Sequence, residues 1–249
     1  MLGSLTVLER SNIKEKFGVN YLLSPDSYKI NKSNNYGDAS YYSELHYGAP
    51  ASLSGHNACP FSSAGCREMC LNTAGRGGMN MVQLARLRRT RMFYSTRLSG
   101  EYMQLLYHDI HKMLRKADRL ERKPAIRLNG TTDFPWEKMR PELFTDFPQI
   151  TYYEYTKYPL NKREDIPSNL DLTFSRSEEN EVEAFHNLEH GRRVAVVFRG
   201  PELPTTWRGY PVVDGDRHDM RFLDPQGVIV GLTAKGKAKH DTSGFVVDA

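Results

Sequence analysis

The chain has 249 residues, 39% apolar, 26% charged and 11% aromatic, and a formal net charge of +4. That composition excludes a disordered chain or a collagen-like repeat and allows a sizeable buried core. The longest apolar runs, such as Val194 to Phe198, fall far short of the roughly 20 residues that cross a bilayer, so neither a transmembrane segment nor a membrane partner is expected. Met1 to Arg10 has neither the basic start nor the apolar stretch of a secretory signal, which predicts a cytoplasmic protein in a reducing compartment.

Residues 1–55 are polar, rich in Asn, Ser, Tyr and Gly, and read as an irregular N-terminal segment of a single domain, 1–249. Within it, Asn31 to Gly37 reads as a loop, and Ser40 to Leu45 as a short strand whose buried face no alternation decides. A cysteine-bearing loop follows at 56–78 and ends in Gly75-Arg76-Gly77-Gly78. The α/β core, 79–240, opens with a helix capped by Asn80 and running to about Leu98, which carries Arg86, Arg88, Arg89, Arg91 and Arg97. Glu101 to Glu121 is a second helix, because Tyr102, Leu105, Leu106, Ile110, Met113, Leu114 and Ala117 recur at three- and four-residue spacing.

From Pro124 onward, apolar and β-branched runs alternate with helix or loop signals. Ala125 to Asn129, Ile150 to Thr156, Leu170 to Ser175, Val194 to Arg199 and Val228 to Leu232 read as strands. Pro141 to Phe147 and Glu178 to Leu188 read as helices between them. Strands alternating with helices predict parallel pairing and an α/β sheet or barrel. Sites in such folds gather where strands end, and the downstream ends here are polar: Asn129-Gly130-Thr131-Thr132-Asp133, Glu154-Tyr155-Thr156-Lys157, Ser175-Arg176-Ser177-Glu178, Arg199-Gly200 and Asp214-Gly215-Asp216.

The chain has three cysteines, and all fall in one segment, Cys59-x6-Cys66-x3-Cys70. An odd number in a reducing compartment is no disulfide framework. Three thiolates on one loop point to a soft metal centre, zinc, copper(I) or an iron–sulfur cluster. A structural zinc site wants four closed ligands, and only His56 is near enough to serve as a local fourth. A four-iron cluster ordinarily takes four cysteines, so three would leave one iron open. Iron–sulfur, zinc and three unrelated thiols all stand at this point.

The cysteine array, Arg127-Leu128-Asn129-Gly130-Thr131-Thr132-Asp133, Phe174-Ser175-Arg176-Ser177 and Gly231-Leu232-Thr233-Ala234-Lys235-Gly236-Lys237-Ala238 together resemble a bacteriophage family, the gene product 88 type, over roughly residues 55–240. A phage origin implies the host cell cytoplasm. More distantly, three cysteines on a loop ahead of alternating strands and helices are similar to radical S-adenosylmethionine (SAM) enzymes. That resemblance implies a partial (β/α)6 TIM-like barrel in which Cys59, Cys66 and Cys70 bind three irons of a 4Fe-4S cluster and SAM chelates the fourth. The spacing differs from that family's usual Cys-x3-Cys-x2-Cys, and no obvious first barrel strand precedes Ala58 to Cys70. A relative that keeps the cluster without SAM chemistry is the neighbouring possibility.

Under the barrel reading, Asn129, Thr131 and Asp133 are candidates to hold an amine, and Ser175 and Arg176 to bind a ribose hydroxyl or carboxylate. Glu154 and Lys157 are candidates for proton transfer if burial shifts their pKa values. The expected function is an iron–sulfur phage protein, radical-SAM-like, of unknown substrate. The alternative is a metal-stabilised protein that binds nucleic acid or another partner. Residues 81–123 hold eleven Lys or Arg against four Asp or Glu, and Arg86, Arg89 and Arg97 are the candidate phosphate contacts.

Three further patterns are weaker. His186 and His190 flank Glu189 in the His-x-x-Glu-His order of inverted zinc proteases, without a third ligand. Asp214, Asp216, Asp219 and Asp224 form an acidic turn region. Gly231 to Lys237 approaches a phosphate-binding loop, but Ala238 stands where the magnesium-binding hydroxyl belongs.

Overall fold

The structure, a computed structural model, describes residues 5–24, 28–37, 39–96 and 100–249. Helix α1 (Val7–Phe17) begins with a capping box: the Thr6 hydroxyl accepts from the Glu9 N–H, and the Glu9 carboxylate accepts from the Thr6 N–H. Strand β1 (Leu23–Ser24), helix α2 (Tyr28–Asn34) and strand β2 (Tyr41–His46) follow. The expected irregular N-terminal segment is thereby corrected, and the expected loop at 31–37 is helical as far as Asn34.

Two physical reasons explain the difference. Only Ile13 of α1 is buried, so the helix carries no apolar stripe. Asn34 looks like a loop residue, but its amide donates to the Ser43 carbonyl at 3.2 Å and accepts from the Ser43 N–H at 2.7 Å, which ties α2 to β2. β2 itself is buried on both faces from Tyr42 to His46, which erases the alternation that would have marked it.

Helix α3 (Ala64–Glu68) lies in the cysteine loop, and α4 (Asn80–Ser95) and α5 (Glu101–Arg119) come next. Met79, not Asn80, is the residue before α4, and Arg97, within the expected end of that helix, lies outside the described residues. α5 buries the stripe expected of it, from Tyr102 to Ala117. The chain continues through β3 (Lys123–Arg127), α6 (Trp136–Met139), α7 (Glu142–Asp146), β4 (Thr151–Thr156) and β5 (Leu170–Ser175). Helix α8 (Glu181–Glu189) starts later than expected, because the Asn180 side chain accepts from the Ser177 N–H and donates to the Ser175 carbonyl, holding 175–180 in a turn. Then come β6 (Val194–Phe198), β7 (Thr206–Trp207), β8 (Tyr210–Asp214), β9 (Ile229–Thr233) and β10 (Val246–Val247).

Among the described residues these strands form one ten-stranded sheet, ordered β1-β2-β3-β4-β5-β6-β9-β8-β7, with β10 pairing β6. β2 through β6, β9 and β8 are all parallel to their neighbours, whereas β1 and β7 pair antiparallel at the two edges. The fold is mixed α/β and its sheet is not closed. One apolar cluster joins α5 to Tyr42, Ile126, Leu128 and Tyr152, and a second joins α8 to Phe174, Val194, Val196, Phe198 and Ile229.

A third, smaller cluster packs Met220 and Phe222 on Ala125, Tyr153 and Tyr41. Charge is buried beside it: Arg127 Nη1 lies 2.7 Å from Asp219 Oδ2, and Arg221 Nη1 lies 3.0 Å from Asp224 Oδ2. The segment 218–224 thus fills space against the strands with its own side chains.

Phe174 is fully buried between β5 and α8. Phe174→Ala is expected to destabilise the fold by about 3–5 kcal/mol through lost burial and a residual cavity, measured as a lower urea midpoint at unchanged slope.

Candidate metal centre

β2 ends at His46 and α4 begins at Asn80, so all three cysteines lie on the connection leaving the first parallel strand. The expectation that no strand leads into this loop is corrected. The loop crosses the carboxyl ends of the neighbouring strands. The Ala58 N–H donates to the Ala51 carbonyl at 3.0 Å, and the Asp133 N–H donates to the Ala58 carbonyl at 2.9 Å. Cys59 Sγ accepts from the Ala51 N–H at 3.4 Å and donates to the Thr131 carbonyl at 3.8 Å.

Glu178, just beyond β5, holds the other end of the loop. Its carboxylate accepts from the Ser63 hydroxyl at 2.8 Å and from the Gly65 N–H at 2.7 Å, while Ser63 caps α3 by accepting from the Cys66 N–H at 3.1 Å. Gly65 makes room for the clasp: a Cβ there would force Ser243 and the Glu178 carboxylate to shift. No local signal in the sequence marks Glu178 as the clasp, since its partners are 113 and 115 residues away.

The three thiols are partly buried and share one electrostatic neighbourhood. Burial pushes Cys59 up to about 12, with Asp133 and the thiolates of Cys70 and Cys66 adding to the shift and the Ala51 N–H opposing it. Burial likewise raises Cys70, which Cys66 reinforces and the Asn72 N–H, Arg86 and Lys157 oppose. Cys66 packs among Ala234, Ala238, Phe245 and Met69. Among the described residues, no group of three or more His, Cys, Asp and Glu is arranged around a single-ion site. His56, the local candidate for a fourth ligand, stacks instead on Tyr94 with ring centroids 4.1 Å apart.

The polar strand ends do converge beside this loop, but most are occupied. Asn129 accepts from the Thr132 hydroxyl and the Phe134 N–H and donates to the Phe134 carbonyl. The Thr131 hydroxyl donates to the Gly48 carbonyl at 2.6 Å. Asp133 is buried and accepts from the Thr156 hydroxyl at 2.7 Å and the Lys157 N–H at 2.8 Å. Arg176 spans the Glu181 carboxylate and the carbonyls of Gly244 and Phe245. Glu154 accepts from the N–H groups of Leu128 and Asn129, fastening the end of β3 to β4. Of the seven, Lys157 and Ser175 form a side-chain pair, Nζ to Oγ 2.6 Å, with Lys157 also in electrostatic contact with Cys70.

The remaining candidates separate. Arg86 and Arg89, candidate phosphate contacts, are only 7% and 8% exposed. Arg86 donates to Asn72, and Arg89 donates to the carbonyls of Tyr21 and Tyr47, because α4 turns both inward under the rim. His186 and His190 are exposed on α8, and the imidazole Nδ1 of His190 bonds the His186 carbonyl. The four aspartates disperse. Asp214 accepts from the Asp216 N–H, Asp216 engages Thr233 and Lys235, Asp219 pairs with Arg127, and Asp224 pairs with His218 and Arg221.

Two outcomes follow from these contacts. Burial pushes Glu154 up to about 8, against the pull of Arg127 and the Leu128 and Asn129 N–H groups. The folded state therefore keeps a proton that the unfolded chain releases near 4.5, so this group's contribution to stability falls as pH rises from about 4.5 to 8. Subtracting the urea stability of Glu154→Gln from wild type at each pH is expected to expose a negative slope of up to about 1.4 kcal/mol per pH unit. Glu178→Ala is expected to raise hydrogen exchange at the Gly65 and Cys66 amides and to speed alkylation of Cys66, with exchange in α5 unchanged.

Comparison with known proteins adds a family. The family model described as Gene product 88 matches residues 14–249. No curated protein and no solved structure matches the chain. No helix among the described residues is long and apolar enough to cross a membrane.

Proposed function

The chain belongs to the Gene product 88 family, and on that premise we propose that it is an iron–sulfur protein of radical-SAM-like type. Cys59, Cys66 and Cys70 would hold three irons of a 4Fe-4S cluster. The observation that carries the reading is the place of the three thiols: one electrostatic neighbourhood, on the loop after the first parallel strand, over the carboxyl edge of the sheet. The donor set fits such a cluster. A four-iron centre spaces its thiolates more widely than a single ion does, and three cysteines without a fourth protein ligand leave one iron open. Consecutive strands β2 to β6 as parallel neighbours also support a partial TIM-like barrel, with β9 and β8 continuing it.

When bound, the cluster would supply one electron to a sulfonium such as SAM and a coordination position for its amine and carboxylate. The chain's own residues do the rest. Three thiolates carry negative charge into a half-buried site, and Arg86 and Lys157 are the cations that offset it at Cys70. Ser175 fixes the Lys157 ammonium, and Phe245, with its ring centroid 5.4 Å from that nitrogen, shields it on another side. Glu178 and the Asn129 to Asp133 turn set the loop's position rather than touching a ligand.

Anaerobic reconstitution with iron and sulfide tests the proposal. Iron and sulfide in near-equal amounts with visible charge-transfer absorption are expected, together with release of methionine and 5′-deoxyadenosine from SAM under dithionite. Single replacements Cys59→Ala, Cys66→Ala and Cys70→Ala should each lose most of the iron and the absorption. A colourless protein with stoichiometric zinc would overturn the cluster. A normal cluster that neither binds nor cleaves SAM would overturn the enzyme while leaving the ligands.

A further inference from the structure

Away from the thiols, a cavity of about 160 Å³ opens between α4 and the turn joining α1 to β1, lined by Gly18, Asn20, Tyr21, Ala85, Arg88 and Arg89 among others. Two arginines line it, and no Asp or Glu among the described residues does. Arg89 is 8% exposed. Its Nε donates to the Tyr21 carbonyl at 3.1 Å, its Nη1 to the Tyr47 carbonyl at 3.4 Å, and its guanidinium carbon lies 4.9 Å from the Tyr21 ring centroid.

All of those partners are neutral. Among the described residues neither Arg88 nor Arg89 forms an ion pair. Asp109 acts on Arg89 only from beyond ion-pair distance, and its own Oδ2 is committed to the N–H groups of Leu22 and Leu23 at 2.6 and 3.2 Å. Arg86, outside the cavity lining, is near enough to Arg89 to add positive charge.

Gly18 makes room for the second cation. It closes α1 at φ 65, and a Cβ on it would stand 3.0 Å from Arg88 Nε. Arg88 thus lies against bare backbone, exposed, and among the described residues its guanidinium makes no hydrogen bond or ion pair. The buried Arg89 guanidinium lacks a counter-charge among the described residues, which is unfavourable, and its Nη2 together with the exposed Arg88 fork can meet the oxygens of a tetrahedral oxyanion. The space is several times the roughly 30 Å³ that a water occupies in the liquid.

We propose that the Arg88–Arg89 pocket is a phosphate site, taking either the free ion or the phosphate of a nucleotide. It stands apart from the cysteine loop and does not depend on what that loop holds. Calorimetric titration with inorganic phosphate, at ionic strength matched with chloride, provides the test. Wild type is expected to bind, and Arg88→Ala to bind about tenfold more weakly, the usual loss for one charge-assisted pair. Arg88 makes no hydrogen bond of its own among the described residues, so this variant should fold. In wild type, phosphate should also shift the Nε–H resonances of Arg88 and Arg89, a readout that needs no variant. Adenosine monophosphate binding tighter than inorganic phosphate would assign the site to a nucleotide, and equal binding to the free ion. Unaltered affinity in Arg88→Ala, or no shift of those resonances, would overturn the proposal.

Discussion

The parallel pairing of β2 with β3, in register from Tyr41 opposite Lys123 to Leu45 opposite Arg127, is the constraint from which the site follows. Parallel neighbours must be joined by a long crossover that leaves at the carboxyl edge and returns to the opposite one. Here the crossover runs from residue 47 to residue 122 and contains the cysteines, α4 and α5. Its first stretch therefore lies on the same edge as the turns after β3, β4 and β5. Were β2 antiparallel to β3, the thiols would leave from the other edge, far from Thr131, Lys157 and Glu178.

Once the loop is on that edge, buried polar groups hold it there. Glu178 takes the N-terminal side of α3, Thr131 and Ala51 meet Cys59, and Glu154 fixes the end of β3 from which the Thr131 turn departs. Each of these carboxylates is engaged by N–H or O–H donors, the condition under which a buried acceptor is tolerated. The strand-end residues that look like ligand contacts in the sequence are thus chiefly the supports of the loop. A protein that positions a reactive centre needs such supports as much as it needs the ligands themselves.

Charge is arranged in two separate places along α4. Arg86 turns toward Cys70, where it opposes the accumulation of thiolate charge. Arg88 and Arg89, two and three positions on, line a cavity at the α1–β1 connection that no Asp or Glu among the described residues lines. At roughly 100° per residue Arg86 and Arg89 share the inward face of α4 while Arg88 lies on its exposed side, so one arginine-rich stretch serves two environments. Arginines adjacent in sequence thus divide, after packing, into buried cations at Arg86 and Arg89 and an exposed one at Arg88.

Strands β3, β4, β5, β6 and β9, helix α5 and the shared segment of the cysteines were legible because each rests on local pattern: β-branched runs, three- and four-residue apolar spacing, and thiols too close in sequence for coincidence. The helices of the first 55 residues were not, because α1 buries a single side chain and β2 is enclosed on both faces, which removes the periodicity that reading depends on. The placing of β8 beyond β9, at the far side of the sheet, is equally invisible, since strand order is a matter of long-range pairing. Sequence by itself thus determined the element alternation, the parallel class and the clustering of the three cysteines. Tertiary structure alone decided which strand precedes them, which carboxylate clasps their loop, and which arginines lose water. Those outcomes arise from contacts between residues 14 to 115 positions apart, and a local pattern carries no record of contacts between separate elements.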